Sequence, residues 1–193
     1  MYESINSRYT YKNSIVIKNK LGIKDEKILE DIERKLVGKK LQTISNYLKF
    51  QKFNEEEFKN IHRYLFFDIY RFAGEYRLEN ITKENFKFSN FEYIDDNIKE
   101  ILSKIDITRY KTMTKEKLVL NISSLMTDLN VIHPFREGNG RTIRTFISKL
   151  FNYFGYDIDF SNINYDKIMR VSKLAVIDET EQIELLMKNV TKM

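Results

Sequence analysis

No cysteine occurs in the 193 residues, which excludes disulfides, thiolate zinc sites, iron–sulfur clusters and a cysteine nucleophile. Histidine is nearly as scarce. Only His62 and His133 are present, so a His-rich metal site is excluded too. Proline occurs once, as Pro134, and glycine six times. With so few breakers, most of the chain reads as helix. No apolar run approaches the roughly 18 residues of a membrane helix. The start, Met1 to Ser7, is polar and lacks the apolar core of a signal peptide. Both absences give the same expectation, a cytoplasmic protein without a membrane partner. Charge of one sign is not in excess either. Thirty-three Lys+Arg against twenty-eight Asp+Glu leave +5, with both signs interspersed. Such a balance suits an anionic ligand and gives no expectation of direct nucleic-acid binding.

Fourteen Phe and twelve Tyr supply a sizeable core, and the length suits a single domain over 1–193. The fold class expected is all-α, a helical bundle. Asp25–Val37 places Ile28, Leu29, Ile32 and Leu36 on one face, with Gly38 following as a C-terminal cap. Asn54 can cap a helix carrying Phe58, Ile61, Leu65, Phe66 and Ile69, with Gly74 beyond it. Asp95 or Asp96 opens a short helix, Thr114 a longer one, and a third runs from about Gly140 to Phe154 before Gly155. Two more fall around Tyr165–Val176 and Glu179–Val190. Residues 1–22 are less regular and read as an arm packed on the body. Phe86 to Tyr93 alternates aromatic and polar residues about Ser89-Asn90, which predicts a small β-hairpin over 85–94.

The main anomaly is the segment His133-Pro134-Phe135-Arg136-Glu137-Gly138-Asn139-Gly140-Arg141-Thr142-Ile143-Arg144. It joins two apolar helices, so it is a tight loop running into a helix start. Gly138 and Gly140, on either side of Asn139, let backbone N–H groups converge and a ligand approach the main chain. With the partial positive charge of the helix start this makes an anion cradle suited to a di- or triphosphate. Arg141 and Arg144 are three apart, share a face and can grip phosphate oxygens. Glu137 is a hard oxygen ligand for Mg²⁺. His133 is the one imidazole placed to act as a base. Phe135 is expected to plug into the core, and His62, in an ordinary helical pattern, to be packed or at the surface.

This twelve-residue segment resembles the signature of the Fic family: His-Pro-Phe, any residue, Asp or Glu, Gly-Asn-Gly-Arg, two residues, Arg. Every fixed position is present. Phe72-Ala73-Gly74-Glu75-Tyr76-Arg77 resembles the family's Ala-Gly-x-x-Arg element, with Phe72 where Trp is usual. Tyr9 to Asp25 is similar to the arm of small bacterial Fic proteins. The resemblance implies a largely helical fold and transfer of AMP from ATP to a Tyr, Ser or Thr hydroxyl of a target protein. His133 would deprotonate the hydroxyl and Glu137 would hold Mg²⁺. Gly138, Asn139 and Gly140 would form the anion hole, and Arg141 and Arg144 would hold the distal phosphates. The hairpin, with Phe86, Lys87, Phe88, Ser89, Asn90 and Phe91, would be a flap pairing strand to strand with the target. The motif also leaves open transfer of UMP or phosphocholine, and, outside enzymes, a nucleotide-binding module without turnover.

Many Fic enzymes are held off by a helix bearing Ser or Thr, three residues, Glu, then Gly or Asn. Its Glu pairs with the motif's second arginine, Arg144 here. The spacing occurs at Thr112–Glu116 and Thr180–Glu184, as often as chance supplies, and neither precedes Gly or Asn. The resemblance therefore implies a toxin controlled by a separate small helical antitoxin, with in-chain control by Glu184 as the competing case. The arm's resemblance to small bacterial Fic toxins implies a DNA topoisomerase subunit as the target.

Overall fold

The computed structural model describes residues 7–84 and 86–193. The first six residues of the arm, and residue 85 of the expected hairpin, lie outside the described residues. Eight α-helices among those residues account for most of the structure: α1 Glu26–Tyr47, α2 Glu55–Phe66, α3 Ile94–Ser103, α4 Ile107–Tyr110, α5 Lys115–Ile132, α6 Asn139–Tyr153, α7 Tyr165–Leu174 and α8 Thr180–Asn189. Three starts follow caps read in the sequence, whereas α3 opens at Ile94, ahead of Asp95 and Asp96 and without a side-chain cap. Asp25, Asn54 and Thr114 each accept a hydrogen bond from the N–H three residues on, satisfying a donor that the helix itself cannot. α5 is the central helix and packs on α3, α6 and α8, while α6 also packs on α2. Phe58, Ile61, Leu65, Ile122, Leu129, Phe146 and Phe151 are fully buried between them.

Three expectations are corrected. α1 does not stop before Gly38 but runs through it to Tyr47. Gly38 has open space around it and no positive φ, so its cost is only the ~1 kcal/mol of a helical glycine, and packing of α1 on α2 outweighs it. The buried stripe of α1 is Leu29, Glu33, Val37 and Ile44, and Ile28 faces solvent. The hairpin is also displaced. β1 Thr82–Lys83 pairs antiparallel with β2 Phe86–Lys87, so the chain turns after Lys83, with Glu84 at φ +55°. Ser89 and Asn90 are the exit from the hairpin, not its tip. The Ser89 N–H donates to the Val131 carbonyl, and the Asn90 side chain caps a 3₁₀ turn over Phe91–Tyr93. An Asx residue that signals a turn can equally cap a helical start, and here the cap prevails. Phe91 accordingly sits in that turn and not on a flap strand.

A second small sheet, β3 Tyr156–Asp157 with β4 Thr191–Lys192, ties the C-terminal end to the end of α6. The arm folds back on itself through a Thr10–Ile17 bridge. It packs on the body through the Lys20 N–H to the Ile69 carbonyl and an edge-on Tyr9–Phe72 contact.

Candidate active site

The loop from His133 to Gly138 joins α5 to α6. His133 ends α5 in the left-handed region, φ +51°. Its Nδ1 lies 3.2 Å from the Asn130 carbonyl. A carbonyl only accepts, so Nδ1 carries the proton and Nε2 is the basic nitrogen. Burial holds the imidazole far below its ordinary value, at about 3. The bond to Asn130 opposes that, and the charges of Arg77 and Lys83 add to it. His133 is therefore neutral at physiological pH, the state a base requires. Phe88 stacks on the ring at 4.0 Å. A cavity of about 440 Å³ opens on His133 between the hairpin and α7, with Phe86, Phe88, Asn130, Met169 and Lys173 in its walls. Lys173 of α7 reaches across to Glu84 at the hairpin turn, 2.8 Å.

The loop's shape is fixed from inside. Phe135 is fully buried against His62, 3.8 Å between nearly parallel rings, with Phe58 and Tyr76 beside it. Asn139 is almost fully buried. Its Oδ1 accepts from the Phe135 N–H at 2.8 Å and its Nδ2 donates to the Phe135 carbonyl at 2.7 Å. The Asn139 side chain is thus a brace of the loop, and only its main chain remains to face an anion. His62 is fully buried and bridges two backbones. Nδ1 accepts from the Gly74 N–H at 2.8 Å, which makes Nε2 the donor to the Glu137 carbonyl at 2.9 Å. Gly138 has φ +80°, and a Cβ there would lie 2.3 Å from the Phe66 ring, so glycine is required on both counts. A Cβ on Gly140 would meet the Arg144 guanidinium at 2.9 Å, which places that cation over the first turn of α6. Asn139, Gly140 and Arg141 open α6, where N–H groups lack intrahelical partners.

The two arginines, expected to act together, are in different states. Arg141 lies 2.5 Å from Glu33 of α1, 3.6 Å from Glu137, and over the Phe66 ring. Burial acts to lower its pKa, but the two carboxylates outweigh that and raise it. Tyr70 donates to the other Glu33 oxygen. Arg144 has no ion pair or hydrogen bond among the described residues, and burial lowers its pKa. Glu137 keeps about 30% of its side chain exposed, with Oε1 accepting from the Gly138 N–H at 2.9 Å. Burial, then the nearby Glu33 carboxylate, push its pKa up. The described residues hold no cluster of three metal-ligating side chains. Glu137, a part-exposed carboxylate beside the α6 start, is the kind of single oxygen ligand that Mg²⁺ commonly takes together with substrate phosphate oxygens.

Four contributors, His62, Arg77, Arg136 and Glu33, lie outside the motif or its fixed positions. Arg77, almost fully buried, donates to the carbonyls of Glu79, Ser89, Ile132 and His133. Arg136 is also buried and lies 3.2 Å from Glu79. Glu33 could have been suspected as a charge in phase with the apolar Leu29 and Val37. Arg77 carried no signal beyond the element that contains it.

A helical bundle that presents a histidine, an acid and a glycine-flanked helix start in one loop is the architecture of a Fic domain. Residues 52–151 match the Fic/DOC family, and the chain belongs to it. It is 34% identical over 172 residues to the protein adenylyltransferase VbhT of Bartonella schoenbuchensis, covering 89% of this chain and 36% of that protein. It thus spans about a third of that relative's length. The crystal structure of Bartonella tribocorum BepC with bound AMPPNP has the same fold, with a TM-score of 0.91 over 99% of this chain and all of that one, at 22% identity. The Fic domain of a Bartonella quintana effector with bound ADP gives 0.89 over 98% and 97%, at 25% identity. No helix among the described residues is long and apolar enough to cross a membrane.

Proposed function

We propose that this chain is a protein adenylyltransferase that moves AMP from ATP to a hydroxyl side chain of a target protein. The observation that carries this reading is the His133 loop. A neutral imidazole, its Nδ1–H held by Asn130, looks into an open cavity and leads within five residues to a helix start whose N–H groups can take phosphate. Nε2 accepts the hydroxyl proton as the oxygen attacks the α-phosphorus. The bond from that phosphorus to the bridging oxygen breaks, and pyrophosphate leaves. The α6 start and Arg144 bind and orient the phosphates, so that positioning and charge neutralisation lower the barrier. Glu137 would hold Mg²⁺, which would supply neutralisation of phosphate charge. Phe86, Lys87 and Phe88 present the hairpin edge to the target. VbhT is named for this activity, and two solved Fic domains bind an ATP analogue and ADP.

The reading extends to control. Arg144 is unmatched among the described residues, while Glu184 is exposed on α8 and not paired with it. A carboxylate from a separate small helical antitoxin would compete with the γ-phosphate there, which suits a toxin. Incubation of a bacterial lysate with ATP labelled at the α- or the γ-phosphate tests the activity. Label is expected on protein from α-labelled ATP alone, to fall strongly in EDTA, and to need more Mg²⁺ in Glu137→Ala. Label from the γ-position would overturn AMP transfer, and undiminished labelling in EDTA would overturn the metal's role.

A further inference from the structure

Arg77 is 1% exposed, and its guanidinium spends its donors on main-chain carbonyls from three separate segments. Nε donates to the His133 carbonyl at 3.0 Å and Nη2 to that of Ile132 at 3.2 Å, the end of α5. Nη2 also donates to Ser89 at 2.5 Å, where the chain leaves the hairpin, and Nη1 to Glu79 at 2.7 Å, where the chain approaches it. The Arg77 N–H donates to the Pro134 carbonyl at 2.9 Å. The last carbonyls of a helix lack partners and carry partial negative charge, so a cation suits them. Between the tied points stands the Phe88–His133 stack. A displacement of the hairpin therefore pulls on the carbonyl that sets the histidine's left-handed backbone.

We propose that Arg77 is a positioning residue that locks His133 and the hairpin into one unit, so that the base is aligned only when the target-receiving strand is in register. This deepens the AMP-transfer reading and rests on it. The guanidinium is suited to the task because its rigid fork sends donors in divergent directions, whereas a lysine ammonium has three donors on one flexible point. Arg77 touches no reacting atom, and it acts through the backbone of His133.

The test compares wild type with Arg77→Lys, which keeps the charge and loses the fork, and with Arg77→Gln. Three quantities are read: affinity for a non-hydrolysable ATP analogue by calorimetry, transfer from α-labelled ATP to lysate protein, and the rate at which diethyl pyrocarbonate modifies His133, followed by absorbance. The chain has only two histidines and His62 is fully buried, so that rate reports on His133. Nucleotide affinity is expected to stay within about twofold, while transfer falls roughly a hundredfold, the cost of ångström-scale misplacement. Modification of His133 should quicken at least about threefold as Phe88 leaves the ring. Transfer within about threefold of wild type, unchanged modification, or nucleotide affinity falling in step with transfer would overturn the proposal. So would failure of both variants to fold, since Arg77 would then serve the scaffold as a whole. Absence of label with wild type would strike the AMP-transfer reading alone, because the modification rate is measured without turnover.

Discussion

The His133–Gly138 loop and the β1–β2 hairpin face each other across one cavity and are built in opposite ways. The loop is over-determined. Phe135, Arg136 and Asn139 are buried, Asn139 bonds twice to the Phe135 backbone, His62 holds the Glu137 carbonyl, and Gly138 is pressed on Phe66. The hairpin has two residues per strand, with Phe86 and Lys87 exposed. Beyond its own ladder, it is tied through the Phe88 ring, the Glu84–Lys173 pair and the main chain of Ser89. A base and a phosphate cradle must hold sub-ångström geometry, which is why the loop is braced on all sides. An edge that receives a foreign strand must adapt, and segments with few buried contacts open at little cost. The contrast fits the proposal that the loop carries the chemistry and the hairpin the recognition.

The sharpest way to break that division is His133→Ala. Transfer from α-labelled ATP should fall by ~10²–10⁴-fold, the usual range for loss of a general base. The melting temperature and nucleotide affinity should stay near wild type, and persistence of labelling would remove the loop from the chemistry. Next is Gly138→Ala, where a left-handed backbone and a Cβ 2.3 Å from Phe66 should cost about 2–4 kcal/mol of stability in denaturant unfolding. A stable variant would show that the loop is not braced as described. On the hairpin, Phe88→Pro removes both the N–H that donates to the Ile81 carbonyl and the ring stacked on His133. Target labelling should fall roughly three- to tenfold, about one hydrogen bond's net worth, with nucleotide affinity unchanged. Equal loss of both would mean that the hairpin supports the fold.

Acid stability probes the loop's bracing more gently. Burial first, and then the charges of Arg141 and Arg63, hold His62 at about 3, against an ordinary 6.5, although its bond to Glu137 opposes them. Below about pH 6.5 the unfolded chain takes a proton that the fold refuses. Stability is therefore full above that pH and declines as pH falls toward 3, by up to ~1.4 kcal/mol per pH unit, and His133, also held at about 3, adds a like contribution. Chemical unfolding of His133→Ala at pH 7.5 and 5.5 removes that contribution and should still show the decline, and a flat profile would mean that His62 is not held neutral by the loop. The smallest effect is expected from Glu184→Gly, with transfer changed less than about twofold. A large rise from a nearly silent wild type would instead place the inhibitor within the chain.

Helix starts were legible in the sequence because capping is local. Asp25, Asn54 and Thr114 act within three residues of themselves. Stops were less legible. Gly38 could end a helix or sit inside one, and only the packing of α1 on α2 decides between the two. Ser89-Asn90 had the same ambiguity between turn and cap, and anchoring to Val131 and Arg77 resolved it. The Phe135 plug was readable from its place between polar neighbours. The second sheet was not, since Tyr156–Asp157 and Thr191–Lys192 are too short to show a period.

By itself the sequence determined the helical class, the breaker-poor layout and the loop in which histidine, acid and glycines meet. Spacing along the chain fixes what can share one turn or one face. Tertiary structure alone decided which of two equivalent arginines is neutralised. Glu33, 108 residues from Arg141, arrives only when α1 packs against the site, and it leaves Arg144 as a cation with no ion pair among the described residues. It likewise decided that Arg77 and His62 serve the loop, because their partners are backbone carbonyls and N–H groups, identical in every residue type and therefore silent in sequence.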